Sequence, residues 1–231
     1  MGDGRSSGQD RRPLNHPATP VTAVGDQSTS ATRSPVESII RRRRMTRTFQ
    51  RDPVDRQFIV SLLDTARRAP SAGFSQGTHF LVLFDHQTDQ FWDITESRVW
   101  FADRQPGLLA APVVVLALAD PLAYTSRYSE ADKVGHGLDA QDGWATPYWI
   151  VDAAMATQNL LLLAEEHGLG ALFFGIFRND RQLLDLLGVP THVVAIGAVA
   201  LGTRSTTDSP SGSPRIRRRR ALDEVVHQGT W

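Results

Sequence analysis

Residues 112–119 read PVVVLALA. A strand with one solvated face needs a polar residue at every second place. This stretch has none, so other parts of the chain must cover both of its faces. Residues 79–84 (HFLVLF), 171–177 (ALFFGIF) and 193–201 (VVAIGAVAL) are similarly apolar and read as further strands.

The cover has to be helical, and the sequence supplies helices. Ser34-Pro35-Val36-Glu37 combines a cap, a first-turn proline and an acid three residues beyond the cap, the signature of a helix start with a capping box. Asp55 can cap a second helix, with Phe58, Ile59, Leu62, Leu63 and Ala66 at helical spacing and Ala69-Pro70-Ser71-Ala72-Gly73 ending it. A polar, aromatic-dotted helix is expected over residues 87–101. The longest is expected over 148–167, where Ala153, Ala154, Ala156 and Ala164 allow close packing and Gly168-Leu169-Gly170 follow. A short helix is expected over 180–187. Strands and helices alternate imperfectly, which favours an α+β sheet flanked by helices over a strict doubly wound one. Residues 124–147 form a long, glycine-containing, aromatic connection, the kind of loop that serves as a lid or binding loop. Residues 1–33 have almost no large apolar side chains and are expected to be a disordered tail, leaving 34–231 as the folded domain.

Composition removes several kinds of chemistry. Lys plus Arg is 25 and Asp plus Glu is 25, so no net field draws nucleic acid or a membrane surface. There is no cysteine, which excludes disulfides, thiolate catalysis and thiol-ligated metals. His136, His167 and His192 are isolated, no histidine pair has metal-site spacing, and no metal site is expected. No GxxxxGKS/T phosphate loop and no GxSxG elbow occur. No signal peptide or membrane span is evident, and a soluble, cytoplasmic protein is expected. If the chain is an enzyme, a bound cofactor must carry the chemistry.

Against that neutral background stand two arginine clusters, RRRRMTRTF at residues 41–49 and RRRR at 217–220, with Lys133 the only lysine. Guanidinium groups bind oxyanions through two parallel hydrogen bonds. The first cluster, RRMTRTF followed by Asp52-Pro53-Val54, resembles the RRSxRxF…PV opening of the FMN-dependent nitroreductase family. Residues 66–76 (ARRAPSAGFSQ) are similar to its A-R-x-A-P-S-S-x-N-x-Q segment. Residues 151–175 (VDAAMATQNLLLLAEEHGLGALFFG) resemble its long central helix and the strand after it. Residues 218–226 (RRRALDEVV) resemble its closing R-x-R-x-L-x-E-V-V.

The resemblance implies a nitroreductase-like α+β fold, with a central mixed or antiparallel sheet, and an obligate homodimer with FMN at each subunit interface. It places Arg43, Arg218 and Arg220 near the FMN phosphate, with Arg44 and the backbone of Met45 at the same end. Arg47 falls near the N1 and O2 edge of the flavin, where a cation favours the reduced, anionic ring. Pro70, Ser71, Ala72, Phe74 and Gln76 belong to a loop that reaches the cofactor from the opposite subunit. Phe174, Gly175 and Ile176 occupy the strand end beside the isoalloxazine. Tyr124, Tyr128, Trp144 and Trp149 are expected as substrate walls, with a core position an equal alternative for Trp144 and Trp149, and Asp152 as a helix cap.

The implied activity is ping-pong reduction of a nitroaromatic or quinone-like acceptor by NAD(P)H through flavin N5, with no obligatory side-chain acid. Similar proteins act as flavin-dependent dehydrogenases or dehalogenases. Two departures, Met45 for the usual serine and Phe74 for the usual asparagine, leave a flavin-free binding module as a rival.

Overall fold

A computed structural model describes residues 33–210 and 212–231. Apart from Arg33, the expected tail lies outside the described residues. Four strands form one antiparallel sheet: β1 (Thr78–Phe84), β2 (Val113–Ala119), β3 (Leu169–Phe174) and β4 (Val194–Thr203), in the spatial order β1-β2-β4-β3. Every residue of β2 is buried, and the alternation of its side chains explains why it has no polar position. Val113 and Val115 pack on one face with Ile59, Leu62, Leu160 and Leu161. Val114 and Leu116 pack on the other with Phe91, Trp92, Phe101 and Leu183.

The first face is covered by α2 (Arg56–Ala66) and α6 (Tyr148–Glu166), with α1 (Pro35–Arg42) beside α6. Ser34 caps α1 through the amide of Glu37, and Asp55 caps α2 through the amide of Gln57. The second face is covered by α3 (His86–Ile94), α4 (Ser97–Arg104) and α7 (Asp180–Leu186). Two further helices, α5 (Pro121–Tyr128) and α8 (Ser213–Ile216), follow β2 and β4. Among the described residues no helix is long and apolar enough to cross a membrane.

Three expectations are corrected. The helix expected over 87–101 is broken into α3 and α4. Glu96 adopts a left-handed φ of 53°, and the Thr95 hydroxyl bonds back to Phe91 O at 2.7 Å. The long connection begins only after Tyr128, because Asp120 accepts from the amides of Leu122 and Ala123 and starts α5. Strand β3 runs over Leu169–Phe174, so Gly175 and Ile176 lie just past its end.

Candidate functional site

The chain leaves α1 at Arg43 and runs beside the free edge of β3. Met45 pairs with Ala171 in parallel, and the Thr46 amide donates to Ala171 O at 2.8 Å. Thr46 is wholly buried against Gly170, where a Cβ would come within 2.7 Å of its methyl carbon. The segment is fastened further by a residue that sequence reasoning missed. The buried carboxylate of Asp208 accepts from the amides of Arg47 and Thr48, each at 2.9 Å, and from the Arg44 guanidinium. Arg44 Nη2 also donates to the Asp208 carbonyl at 3.1 Å.

The three arginines expected here therefore differ. Arg44 is engaged inside the fold. Arg43 has a buried nitrogen, Nη1, with no partner among the described residues. The half-buried Arg47 guanidinium makes no hydrogen bond or ion pair among the described residues. Two cations thus stand uncommitted on a backbone that is rigidly held.

The loop of Pro70, Ser71, Ala72, Phe74 and Gln76 is strained. Gly73, Phe74 and Gln76 all have left-handed φ values, of 60°, 58° and 56°. Only glycine takes that region without penalty, so the surroundings must enforce it. Ser71 Oγ accepts from the Gln76 amide at 2.8 Å. Arg127 Nε donates to Gly73 O at 2.9 Å, and a Cβ on Gly73 would meet the Tyr128 ring at 2.7 Å. The Ala72 amide donates to Asp152 Oδ2 at 2.8 Å. Phe74 is 73% exposed, and with Arg68, Ser71 and Gln76 it lines a pocket of about 350 Å³. Asp152 is no cap of its own helix: it lies inside α6 and is buried.

A cleft of about 690 Å³ lies between α4 and the loop after β3. Trp92, Trp100, Phe101, Arg104, Gly175 and Phe177 line it. The Arg104 guanidinium sits 4.9 Å from the centre of the Trp100 ring. The cleft's aromatic wall was visible only as the aromatic spacing of residues 87–101, with nothing to say which way it faced. The Phe174 ring turns from the strand end into the core, stacked on Trp92 at 5.6 Å, and Ile176 packs against the same core. Only Gly175 of that trio lines the cleft.

Tyr124, Tyr128, Trp144 and Trp149 do come together, with ring centroids 4.9 to 6.1 Å apart in four pairs. Tyr124 and Trp149 are buried within the cluster, however, and are core residues, not walls. Burial, followed by the hydrogen bond to Asp152, pushes the Tyr124 phenol well above its usual range. A raised pKa in the folded state means that ionisation opposes folding, so this stabilisation is complete below about pH 10, where an unfolded tyrosine titrates, and declines above it. Urea unfolding is expected to give a stability that is level with respect to this group from about pH 7 to 9 and falls beyond 10, with a shallower fall in Tyr124→Phe.

Arg218 and Arg220 are exposed, as are all residues from Arg215 to Trp231, and Arg220 pairs with Glu224. In the single chain neither makes a hydrogen bond or ion pair with the segment that carries Arg43 and Arg47.

The model of the Nitroreductase family matches residues 40–203. A candidate NADH dehydrogenase/NAD(P)H nitroreductase of Archaeoglobus fulgidus is 32% identical over 165 residues, 69% of this chain and 80% of that protein. The structure of B. megaterium NfrA2 superposes with a TM-score of 0.67 at 18% identity, covering 86% of this chain and 76% of the other. A candidate nitroreductase of Desulfovibrio desulfuricans, solved in complex with FMN, gives a TM-score of 0.61 at 24% identity over 87% of this chain and 99% of its own.

Proposed function

The chain belongs to the nitroreductase family and is an oxidoreductase; from that premise we propose that it binds FMN and uses NAD(P)H to reduce a flat, electron-poor acceptor such as a nitroaromatic or a quinone. The observation that carries the proposal is the buried Nη1 of Arg43, which has no partner among the described residues. A buried polar group without a partner is rare in a folded protein and costs free energy, more so when it is charged. An oxyanion at that point supplies the missing partner, and the FMN phosphate carries close to two negative charges on oxygens that suit a guanidinium fork.

The residues present fit the group. Arg43 holds the phosphate, with the backbone at Met45 beside it. Arg47, whose guanidinium has no partner among the described residues, supplies a cation to the N1 and O2 edge of the ring. Gly175 lets the ring approach backbone closely. Arg44 serves indirectly, tied to Asp208, by fixing the segment between Arg43 and Arg47. The apolar walls of the large cleft, Trp100 and Phe177 among them, suit flat ligands.

Two copies of the chain complete the site. The loop of Pro70, Ser71, Ala72, Phe74 and Gln76 projects into the partner's half. The exposed C-terminal segment, with Leu222, Val225 and Val226 at 75%, 52% and 53% exposure, packs on assembly and brings Arg218 and Arg220 to the phosphate. FMN bound there would supply hydride chemistry between NAD(P)H and the second ligand, in ping-pong order. The protein's part is to bind and orient, and no side-chain acid is required.

The test is Arg43→Met. Because the change removes an unpartnered buried nitrogen, the stability of protein prepared without flavin should stay the same or rise by up to about 1 kcal/mol. FMN affinity, read from flavin absorbance or fluorescence, should fall at least about tenfold, as expected for loss of a charge-assisted bond of about 1.5–3 kcal/mol. Loss of stability with unchanged FMN binding would defeat the proposal.

A further inference from the structure

The carboxylate of Asp152 is 2% exposed, set on a face of α6 between Trp149, Ala153 and Ala156, where an apolar side chain would pack without electrostatic penalty. Buried carboxylates persist where they are hydrogen-bonded. Asp152 Oδ2 accepts from two donors: the Tyr124 hydroxyl of α5 at 2.7 Å and the Ala72 amide at 2.8 Å. The second is the informative one. Ala72 opens the turn in which Gly73, Phe74 and Gln76 all stand in the left-handed region.

A turn with that much backbone strain relaxes unless its ends are tied. Two side chains of α5 tie it as well. Arg127 donates to Gly73 O, and its guanidinium is anchored in turn by Asp132, whose carboxyl it holds down to about 2. Tyr128 packs against the Gly73 backbone. The Asp152 bond differs from these in coming from a buried side chain of the central helix, so it fixes the turn to the core.

We infer that Asp152 is a positioning residue, whose hydrogen bond to the Ala72 amide holds the strained turn of residues 71–76 in the form that meets the cofactor of the opposite subunit. This rests on the FMN reading given above, since the turn carries Ser71, Ala72, Phe74 and Gln76. Asp152 touches neither cofactor nor substrate and acts through the loop.

Three variants test it: Asp152→Leu, which keeps the volume and removes both acceptor oxygens; Tyr124→Phe, which removes the other donor; and Thr157→Val as a control on the same helix. Thr157 is equally buried, and its hydroxyl bonds only within α6, to Ala153 O at 2.8 Å. Hydrogen exchange on protein prepared without flavin reads the turn directly. In Asp152→Leu the amides of residues 72–76 should exchange at least about tenfold faster than in wild type or Thr157→Val, with the amides of β2 unchanged. FMN titration should show affinity about tenfold weaker in Asp152→Leu, less affected in Tyr124→Phe, and unchanged in Thr157→Val.

Equal exchange of the turn in Asp152→Leu and Thr157→Val overturns the inference. So does wild-type FMN affinity in Asp152→Leu. Failure of the wild-type protein to take up FMN is a separate result that removes the proposed function, and the exchange comparison still decides whether Asp152 holds the turn.

Discussion

Asp208→Ala is expected to lower stability by about 3 kcal/mol and to weaken FMN binding at the same time. The carboxylate is almost wholly buried and serves three donors: the amides of Arg47 and Thr48, and the guanidinium of Arg44. Removing one partner of a buried pair leaves the other charge uncompensated, at about 3–5 kcal/mol where both are fully enclosed. Arg44 keeps about a third of its side-chain exposure, which moves the figure to the lower end, and two unpaired amides add to it. For a domain of this size, about 3 kcal/mol corresponds to a fall in melting temperature of roughly 6–12 °C. The effect on FMN follows from where Asp208 acts. It pins the backbone between Arg43 and Arg47, so its loss lets the two cations drift apart. Thermal unfolding and FMN titration of one variant check both parts. An unchanged melting temperature would show that the segment is held by its pairing with β3 alone.

Arg47→Ala should do the reverse, leaving stability within about 0.5 kcal/mol of wild type while damaging function, because its guanidinium has no internal partner to lose among the described residues. Two unit charges 4 Å apart at an effective dielectric of about 20 interact by about 4 kcal/mol. Arg47 is only half-buried, and solvent screening brings the expected contribution to about 2 kcal/mol. That is a loss of roughly 30-fold in affinity for the reduced cofactor. For a two-electron couple it lowers the potential by about 40 mV. Potentiometric titration of bound FMN in wild type and variant measures the shift, and an unchanged potential would remove Arg47 from the flavin edge.

What could be read from the sequence, and what could not, follows the range of the interactions concerned. The strands were legible because an uninterrupted apolar run such as VVVLALA has one stable setting, a sheet covered on both faces. The caps at Ser34 and Asp55 were legible because a cap and its amide lie within three residues. The break at Glu96 was not, since a left-handed glutamate has no local signature of the kind glycine gives. The start of α5 had a signal, Asp120-Pro121, but the aromatic and glycine content of the following loop outweighed it.

Among the candidate site residues, the resemblance brought attention to the segment carrying Arg43, Arg44 and Arg47. Their different states could not be anticipated, because the deciding partner of Arg44 lies 164 residues away. Asp152 was misread for the same reason. Its place near the start of a helix suits a cap, and nothing local shows that it reaches an amide 80 residues back. The burial of Tyr124 and Trp149 reflects mutual packing of aromatics that composition alone leaves free to face solvent or core.

In the proposed site Arg43 holds the phosphate of one flavin nucleotide and Arg47 meets the N1 and O2 edge of its ring. Calorimetric titration of the wild-type protein with FMN and, separately, with riboflavin tests it most directly, since the two ligands differ only by the phosphate. FMN is expected to bind at least about 100-fold more tightly, in line with the combined strength of the charge-assisted bonds from Arg43 and from Arg218 and Arg220 to the phosphate, the ring edge met by Arg47 being common to both ligands. Equal affinity for both ligands, or no binding of either, would contradict it.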